Sequence, residues 1–465
     1  MKENKIQRLE TDDITKLLIE FSWPAIAGMV IYSCYNIISR MYIGNIGDYD
    51  GMTGLAAITV CFPIMLVFFS VAAMCGLGGS ALYSIRLGEK DYPAAGKVLG
   101  TSIWLVALLT IIPTIAAFAN LDGLLRLFGA SDSILPYARD YLTIIMYGSV
   151  FGGIGFTVNA FSRTDGSPSV SMYTNIIGAV FNIAFTPLFL FVMHMGMKGA
   201  ALATVGGQLT TMIWVLLYFR SRRATIRLTR DLFVFEPGIV RKILAMGAPP
   251  FAMQIINCMI MFIVNKLLVK YGGDMAMSAM GIVMSLQTIM IMPIVGISQG
   301  AQPIMGYNFG ASNYRRVVET LKQGLIGATA VVLFFYAIVR LFPGPIISMF
   351  GSNPELRDLG VKCMEAWFMC IPFVGIQIIG SCYFQSVGKV MESLILTSTR
   401  QLIFFIPAAI VLPMFHGFNG LIHAAPLADL ISSAVTGVCL YLDVKKEGAK
   451  RGGDDGHKAG PKRAS

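Results

Sequence analysis

The chain has 465 residues, of which 55% are hydrophobic and only 13% charged, and its mean hydropathy is +0.68. Soluble globular proteins carry about 25% charged residues, so this composition excludes that class and indicates a polytopic membrane protein. The net charge of +10 does not indicate a nucleic-acid partner, because the lysines and arginines cluster in alternate loops between apolar segments.

Twelve apolar segments are long enough for bilayer-spanning helices, each of which needs roughly 20 residues. Outer-membrane strands would instead give alternating segments of about 10 residues. The sequence therefore predicts an all-α fold with twelve transmembrane helices. The predicted spans are residues 14–39, 52–76, 98–119, 136–160, 168–193, 197–219, 241–269, 275–305, 317–341, 361–386, 391–415 and 418–442.

Most basic residues fall on the side that also holds both chain ends, for example Lys16, Lys90, Arg223 and Lys445. The positive-inside rule then predicts that both termini are cytoplasmic, and an even number of spans agrees. The first apolar segment is too long for a cleaved signal peptide and lacks an A-x-A site. We expect a multi-pass monomer that stays in the lipid bilayer of the cell membrane.

The second half of the chain repeats the first. S-Q-G-A-Q (298–302) echoes G-L-G-G-S (76–80), and G-F-N-G (417–420) echoes G-M-K-G (196–199), each time at nearly the same offset along the chain. Six spans per half give both halves the same orientation, which predicts a parallel repeat around a central cavity. The predicted organisation is a cytoplasmic lead (1–13), an N lobe (14–219), a cytoplasmic linker (220–240), a C lobe (241–442) and a disordered cytoplasmic tail (443–465).

The stretch Pro293–Ala311 is unusually rich in proline, glycine and amides for a membrane span. Unpaired polar groups are costly in hydrocarbon, so this stretch must face protein or a watery cavity. Two interpretations stay open. It is either a kinked, tightly packed helix, or a helix that bends during transport while Gln299 and Gln302 line the path.

Two ionisable residues are placed deep in predicted spans, where a charge is functional by default. Arg400 lies in the eleventh span and Asp429 in the twelfth, at similar depths on adjacent antiparallel helices. We predict an Arg400–Asp429 ion pair in the C lobe. It is either a structural staple or a site where Asp429 exchanges Arg400 for a proton or a cationic substrate.

Neutral amides mark a polar face in the seventh and eighth spans. A polar face on a lipid-embedded helix points inward, towards either a substrate or a neighbouring helix. The predicted substrate-cavity residues are Gln208, Gln254, Asn257, Gln287, Gln299 and Gln302.

No metal site or catalytic motif is apparent in the sequence. The eight cysteines are scattered singly, and the four histidines have no metal-ligand spacing. H-E-x-x-H, G-x-S-x-G and Walker patterns do not occur, which argues against a membrane enzyme and against ATP as the direct energy source. We expect no cofactor beyond a coupling ion.

The sequence I-S-Q-G-A-Q-P-I-M-G-Y-N-F-G-A-S-N-Y (297–314) resembles the eighth-helix signature of the multidrug and toxic compound extrusion (MATE) family. Y-N-I-I-S-R-M-Y-I-G (35–44), G-M-K-G-A-A-L-A-T (196–204) and R-Q-L-I-F-F-I-P (400–407) are similar to other family segments. The resemblance covers nearly the whole chain. It implies two six-helix lobes in a V, and export of amphipathic, often cationic compounds driven by H⁺ or Na⁺.

The chain departs from the bacterial branch that it most resembles at two positions. Ser39 and Thr186 stand where that branch usually has carboxylates that bind the coupling ion. Hydroxyls do not take up protons near neutral pH, although neutral oxygens could still hold Na⁺ weakly. The ion-coupling candidates that the resemblance and the buried charges imply are Asn36, Ser39, Asn159, Asn182, Thr186, Thr204, Arg400 and Asp429.

The leading interpretation is therefore a secondary antiporter that exports drugs or toxins by alternating access. One alternative is a flippase for lipid-linked precursors of the same superfamily, which would need a strongly cationic cavity. Another is an uncoupled, facilitative transporter, which the missing carboxylates favour.

Overall fold

A computed structural model describes the backbone of residues 2–44, 48–348 and 354–452; the side chain of Asn36 lies outside the described set. Throughout these ranges the chain is helical apart from short turns and the linker after Arg220. The helices are α1 (Lys2–Thr11), α2 (Ile14–Gly44), α3 (Asp48–Gly88), α4 (Tyr92–Ala119), α5 (Leu121–Leu127), α6 (Leu135–Thr164), α7 (Pro168–Pro187), α8 (Gly196–Arg220), α9 (Pro237–Gly310), α10 (Tyr314–Leu341), α11 (Pro343–Ser348), α12 (Pro354–Trp367), α13 (Val374–Ser386), α14 (Val390–Ser398) and α15 (Ile406–Gly452).

Short segments of other helix types join some of these elements. The π-helix Leu188–Val192 continues α7, and a second π-helix, Thr399–Phe405, joins α14 to α15. The 3₁₀ turn Ile371–Phe373 lies between α12 and α13, and another turn, Arg230–Leu232, lies in the linker. We refer to α2–α8 as the N lobe and to α9–α15 as the C lobe.

The long helices of the described ranges form twelve membrane spans, as the sequence predicted. Within the described ranges, 10 helical stretches are long and apolar enough to cross a membrane, and Pro354–Trp367 with Ile371–Ser386, bent by 41°, form an eleventh. The stretch Val390–Glu447 is really two spans, because Gly417 (φ 55°, ψ −139°) reverses the chain within it. Gly273 (φ 66°) makes the same kind of break inside α9.

The backbone of the turns shows that the two lobes are repeats of one another. Gly196 and Gly417 both have φ +55°, and Gly166 and Gly388 have φ +78° and +74°. The members of each pair occupy equivalent positions in the two halves of the sequence. Only glycine enters this left-handed region without a steric penalty, so the repeat keeps its glycines where helices reverse direction.

The tail prediction is wrong for residues 443–452. α15 continues to Gly452, whereas a disordered segment was expected from residue 443. The physical reason is an ion-pair clip. Lys389, in the turn before α14, contacts Asp443 Oδ1 at 2.5 Å and Glu447 Oε1 at 3.0 Å, and Tyr383 also donates to Asp443. Residues 453–465 lie outside the described part of the chain.

A second polar cluster, centred on Asp165, connects α3, α8 and the linker. The buried Asp165 carboxylate, in the turn after α6, accepts hydrogen bonds from the hydroxyls of Tyr83 (2.8 Å) and Tyr218 (2.7 Å). It also accepts from the backbone N–H of Thr225 at 3.0 Å, in the linker. Sequence reasoning missed this cluster, since D-G-S-P (165–168) indicates only a turn.

The linker lies against the N lobe along its length. Thr101 donates to the carbonyl of Val234 at 3.3 Å, and Lys97 pairs with Glu236 at 2.5 Å. A Cβ on Gly100 of α4 would clash with the backbone of Leu232, so the linker and α4 are in direct contact there. The linker therefore belongs structurally to the N lobe up to the first residue of α9.

Candidate functional site

The two lobes meet along an interlobe seam formed by the last part of α3, the first part of α2 and two parts of α9, residues 243–247 and 296–310. A Cβ on Gly88 would collide with the backbone carbonyl of Tyr307, and a Cβ on Gly310 would collide with that of Ile85. Gly88 and Gly310 are equivalent positions of the internal repeat, and so are Ile85 and Tyr307. The seam is thus pseudo-symmetric, with each lobe placing a glycine against the other's backbone.

A second pair of close approaches lies one layer further in. A Cβ on Gly78 would meet the backbone of Gly247 within 3.0 Å, and a Cβ on Gly300 would meet the N and Cα of Ser22 at 2.7 and 2.8 Å. In this part of α9, glycines therefore serve close packing. The helix is unbroken through Pro293 and Pro303 to Gly310. For this conformation, that favours the packed interpretation of Pro293–Ala311.

The end of the seam is covered by the N-terminal helix α1. The side-chain amide of Asn308, which is 0% exposed, donates to the carbonyl of Leu9 at 2.9 Å. Arg316 donates to the same carbonyl at 3.3 Å and to that of Asp12 at 2.5 Å. α1 is fixed to α2 in turn, because Arg8 makes a two-point contact with Glu20 (3.1 and 2.6 Å).

All of these contacts lie at one end of the bundle, which we call the basic end because it carries Arg86, Lys90, Arg315 and Lys389. At the opposite end the N lobe has a core of its own. That core runs from Ile43 to Ala201 and includes no described residue of the C lobe. A larger core, by contrast, joins residues at the basic end of the N lobe, such as Leu87 and Phe219, to residues throughout the C lobe. The lobes are therefore joined at the basic end and part towards the other.

Neutral polar side chains cluster inside the N lobe, on α6, α7 and α8. Thr186 donates to Asn182 Oδ1 at 3.2 Å, and Asn182 Nδ2 lies 3.4 Å from Thr204 Oγ1. Asn159 donates to Asn175 at 3.4 Å. The structure thus places four of the predicted coupling residues in polar contacts on neighbouring helices. None of them is ionisable, so these groups offer oxygen ligands and hydrogen bonds without charge.

The remaining N-lobe candidates are less closely connected. Ser39 lies on α2 and is partly exposed, and Asn36 lies one turn before it, with a side chain outside the described set. Gln208 packs against Gly152 of α6, where a Cβ would come within 2.8 Å of Oε1. Gln208 Oε1 is buried with no hydrogen-bond partner among the described residues.

The C lobe contains the ion pair that the sequence predicted. Arg400, in the π-helix before α15, donates from Nε to Asp429 Oδ1 at 2.8 Å. The Asp429 side chain is 3% exposed and that of Arg400 is 14% exposed. The prediction of the pair is confirmed. Removing either partner of a buried pair leaves an uncompensated charge, which generally costs about 3–5 kcal/mol.

A chain of amides continues from this pair towards α9. Gln401, next to Arg400, donates to Asn257 Oδ1 at 2.7 Å, and Asn257 donates to Gln254 at 3.4 Å. Gln401 Oε1 is buried and lacks a partner among the described residues. Sequence reasoning missed Gln401, although its position beside Arg400 in the R-Q-L-I-F-F-I-P segment was a usable signal.

The other predicted cavity residues have mixed surroundings. Gln287 accepts a hydrogen bond from Trp367 Nε1 at 3.1 Å, an interhelical contact between α9 and α12. Gln302 is 6% exposed and reaches the Leu77 carbonyl at 3.4 Å, so it lies in the closed seam. Gln299, three positions earlier, is partly exposed. In this conformation only Gln299 of the two has an accessible side chain.

Comparison with known proteins explains the paired architecture. The MatE family model matches this chain twice, at residues 24–188 and 249–411. The chain belongs to the MatE family. Each match covers most of one lobe, in agreement with the internal repeat. Proteins of this family are membrane transporters, and the chain is accordingly a multi-pass membrane protein and a multidrug efflux transporter by family.

Curated relatives and solved structures extend over nearly the full length. The chain is 25% identical to the multidrug export protein MepA of Staphylococcus haemolyticus, over 95% of this chain and 96% of the relative. It is 22% identical to MepA of Staphylococcus aureus (strain MRSA252), over 95% and 97%. The MATE multidrug transporter DinF-BH, solved in complex with rhodamine 6G, is 35% identical, with a TM-score of 0.85 over 92% of this chain and 95% of that one. A MATE structure in the bent conformation, 22% identical, gives a TM-score of 0.89 over 97% and 100%, which shows the shared fold.

Proposed function

We propose that this protein is a secondary active exporter of amphipathic, often cationic compounds, and that it works by alternating access coupled to H⁺ or Na⁺. The observation that carries the proposal is the seam, which joins the lobes at the basic end while they part at the other. By the positive-inside rule, the basic end and both termini lie on the cytoplasmic side of the cell membrane. The structure then corresponds to the outward-facing conformation of the transport cycle. The protein works as a monomer in this proposal.

The substrate class follows from the relatives and from the interior of the lobes. MepA relatives are named as multidrug export proteins, and the DinF-BH structure contains rhodamine 6G. The described interior of the lobes contains amides, hydroxyls and the Arg400–Asp429 ion pair. Such groups suit organic ligands of varied structure. A flippase for pyrophosphate-linked lipids is less well supported, because Arg400, the cation within the C-lobe spans, is already paired with Asp429.

An uncoupled facilitator is the second candidate, and the neutral cluster around Asn182 favours it. The deciding experiment measures rhodamine 6G and ethidium movement in everted membrane vesicles, with pH and Na⁺ gradients imposed separately. Uphill accumulation under one gradient supports antiport. Equilibration of the dye without accumulation under either gradient would support the facilitator and overturn the antiport proposal.

A further inference from the structure

We propose that Asp429 is the group that takes up the coupling proton, and that Arg400 is the partner it releases on doing so. This inference rests on the proposed function and names its coupling site. The step is a simple protonation. A proton from the aqueous phase binds the Asp429 carboxylate, the contact with Arg400 Nε opens, and the reverse step returns the proton on the other side of the membrane.

Position within the fold is the first argument. Among the described residues, the charged side chains buried in the protein are Arg163, Asp165 and Asp429. The first two belong to the end of α6 and the turn after it, at the basic end, where Asp165 is held by the Tyr83 and Tyr218 hydroxyls. Asp429 is therefore the buried carboxylate that lies within a span. The neutral cluster around Asn182 in the N lobe contains no ionisable group among the described residues that could replace Asp429.

The geometry of the ion pair is the second argument. Arg400 contacts Asp429 through Nε alone, and its two terminal nitrogens make no other hydrogen bond to the described protein. A guanidinium that serves as a staple commonly forms two parallel bonds, as Arg8 does with Glu20 at the basic end. The single side-on bond leaves the terminal nitrogens of Arg400 without an acceptor in the described protein, so opening the pair breaks only one hydrogen bond.

The surroundings of Asp429 contain few competing charges. Gln401 Oε1, in the residue after Arg400, is buried without a partner among the described atoms, and Gln401 continues into Asn257 and Gln254 on α9. The ionisable groups next to Asp429 are Arg400, from the π-helix, and the thiol of Cys370, from the turn after α12. π-Helical segments occur frequently at functional sites, and this one carries both Arg400 and Gln401.

The charge balance gives the site the logic of an antiporter. With Asp429 ionised, the pair is neutral as a whole and tolerates a cationic substrate nearby. With Asp429 protonated, the site carries the net positive charge of Arg400. At a separation of about 8 Å and an effective dielectric constant of about 20, that charge weakens binding of a monovalent cation by about 30-fold. Proton and cationic substrate therefore exclude one another, and by linkage each drives the other's release.

The test uses purified protein in proteoliposomes, with ethidium as the probe. Asp429→Asn is compared with Asp443→Asn, a matched control on the same helix that removes a carboxylate from the Lys389 clip instead. The double variant Asp429→Asn/Arg400→Gln removes both charges and guards against misfolding from an unpaired arginine. Each variant is assayed for pH-driven uphill accumulation, for downhill flux, and for proton release on adding ethidium to weakly buffered protein.

We expect both Asp429 variants to lose uphill accumulation and proton release by at least about 10-fold. The downhill flux of Asp429→Asn should also fall, because the unpaired Arg400 weakens ethidium binding by about 30-fold, and removing Arg400 as well in the double variant should restore that flux. Asp443→Asn should retain all three activities. Uphill accumulation that survives in the folded double variant would overturn the proposal, and so would a wild-type protein driven by Na⁺ alone. A wild-type protein without uphill transport under either gradient would instead refute the antiport function itself.

Discussion

Replacing Gly88 with alanine should open the interlobe seam at the basic end. The Cβ of the new alanine would lie well inside 3.0 Å of the Tyr307 carbonyl, a distance that real Cβ atoms essentially never show. The neighbouring atoms are backbone, so no side chain can turn away to relieve the contact. The seam can close only if α3 and α9 move apart by about 1 Å, which disturbs the packing of both helices.

The size of the effect follows from the usual cost of overpacking. An extra carbon forced into a packed interior costs about 1–3 kcal/mol. The strain exists only when the seam is closed, so it acts on the equilibrium between closed and open conformations. With about 1.4 kcal/mol for each factor of ten, a cost of about 2–3 kcal/mol shifts that equilibrium about 30- to 150-fold towards the open seam.

The assay is maleimide labelling of a cysteine placed at Ser22, in a background whose eight native cysteines are replaced. Ser22 is 5% exposed and faces Gly300 across the seam, so its reactivity reports opening. Gly281→Ala on α9 is the matched control, because a Cβ there has nothing within 4 Å. Labelling should rise at least about 10-fold in Gly88→Ala. Equal labelling rates in Gly88→Ala and Gly281→Ala would refute the reasoning that the Gly88 contact controls closure of this seam.

Three further predictions concern other parts of the molecule. Asn308→Ala removes the bond to the Leu9 carbonyl, so labelling at Ser22 should rise about 5-fold; an unchanged rate would mean that α1 does not hold the seam shut. Asp165→Ala leaves the buried Tyr83 hydroxyl and the Thr225 N–H without their acceptor and should cost about 2–4 kcal/mol, seen as a lower melting temperature in detergent, whereas a shift under about 1 °C would contradict this. Asn182→Ala should change the Km for ethidium while leaving proton release intact, because its cluster contains no titratable group among the described residues; loss of proton release in this variant would move coupling to the N lobe.

Much of the fold was predictable because its signals are long and periodic. Twelve apolar segments and the internal repeat imply two like-oriented lobes, and the glycines that reverse the chain at Gly196 and Gly417 are visible in the sequence. The Arg400–Asp429 pair was also predictable, since two opposite charges at similar depth on neighbouring helices have few other partners.

Other features depend on contacts that a sequence does not display. Whether Gln302 faces a cavity or a closed seam depends on the conformation of the lobes, and here it reaches the Leu77 carbonyl. The helical extension to Gly452 depends on Lys389, which precedes the whole of α14 and α15 and stabilises an otherwise polar segment. The side-on geometry of the Arg400 contact is a rotamer choice, and no spacing rule predicts it.

The docked linker determines where the two lobes can pivot. Thr225, Val234 and Glu236 are all held by N-lobe partners, so these residues travel with that lobe as a fixed strap. Any rocking between lobes must then be absorbed within the few bonds around Pro237, where α9 begins, and not spread over a slack tether between α8 and α9. Such a short pivot keeps the start of α9 beside the N lobe throughout the motion, and a fluorescent protein inserted at Arg222 would move with the N lobe without lengthening the hinge.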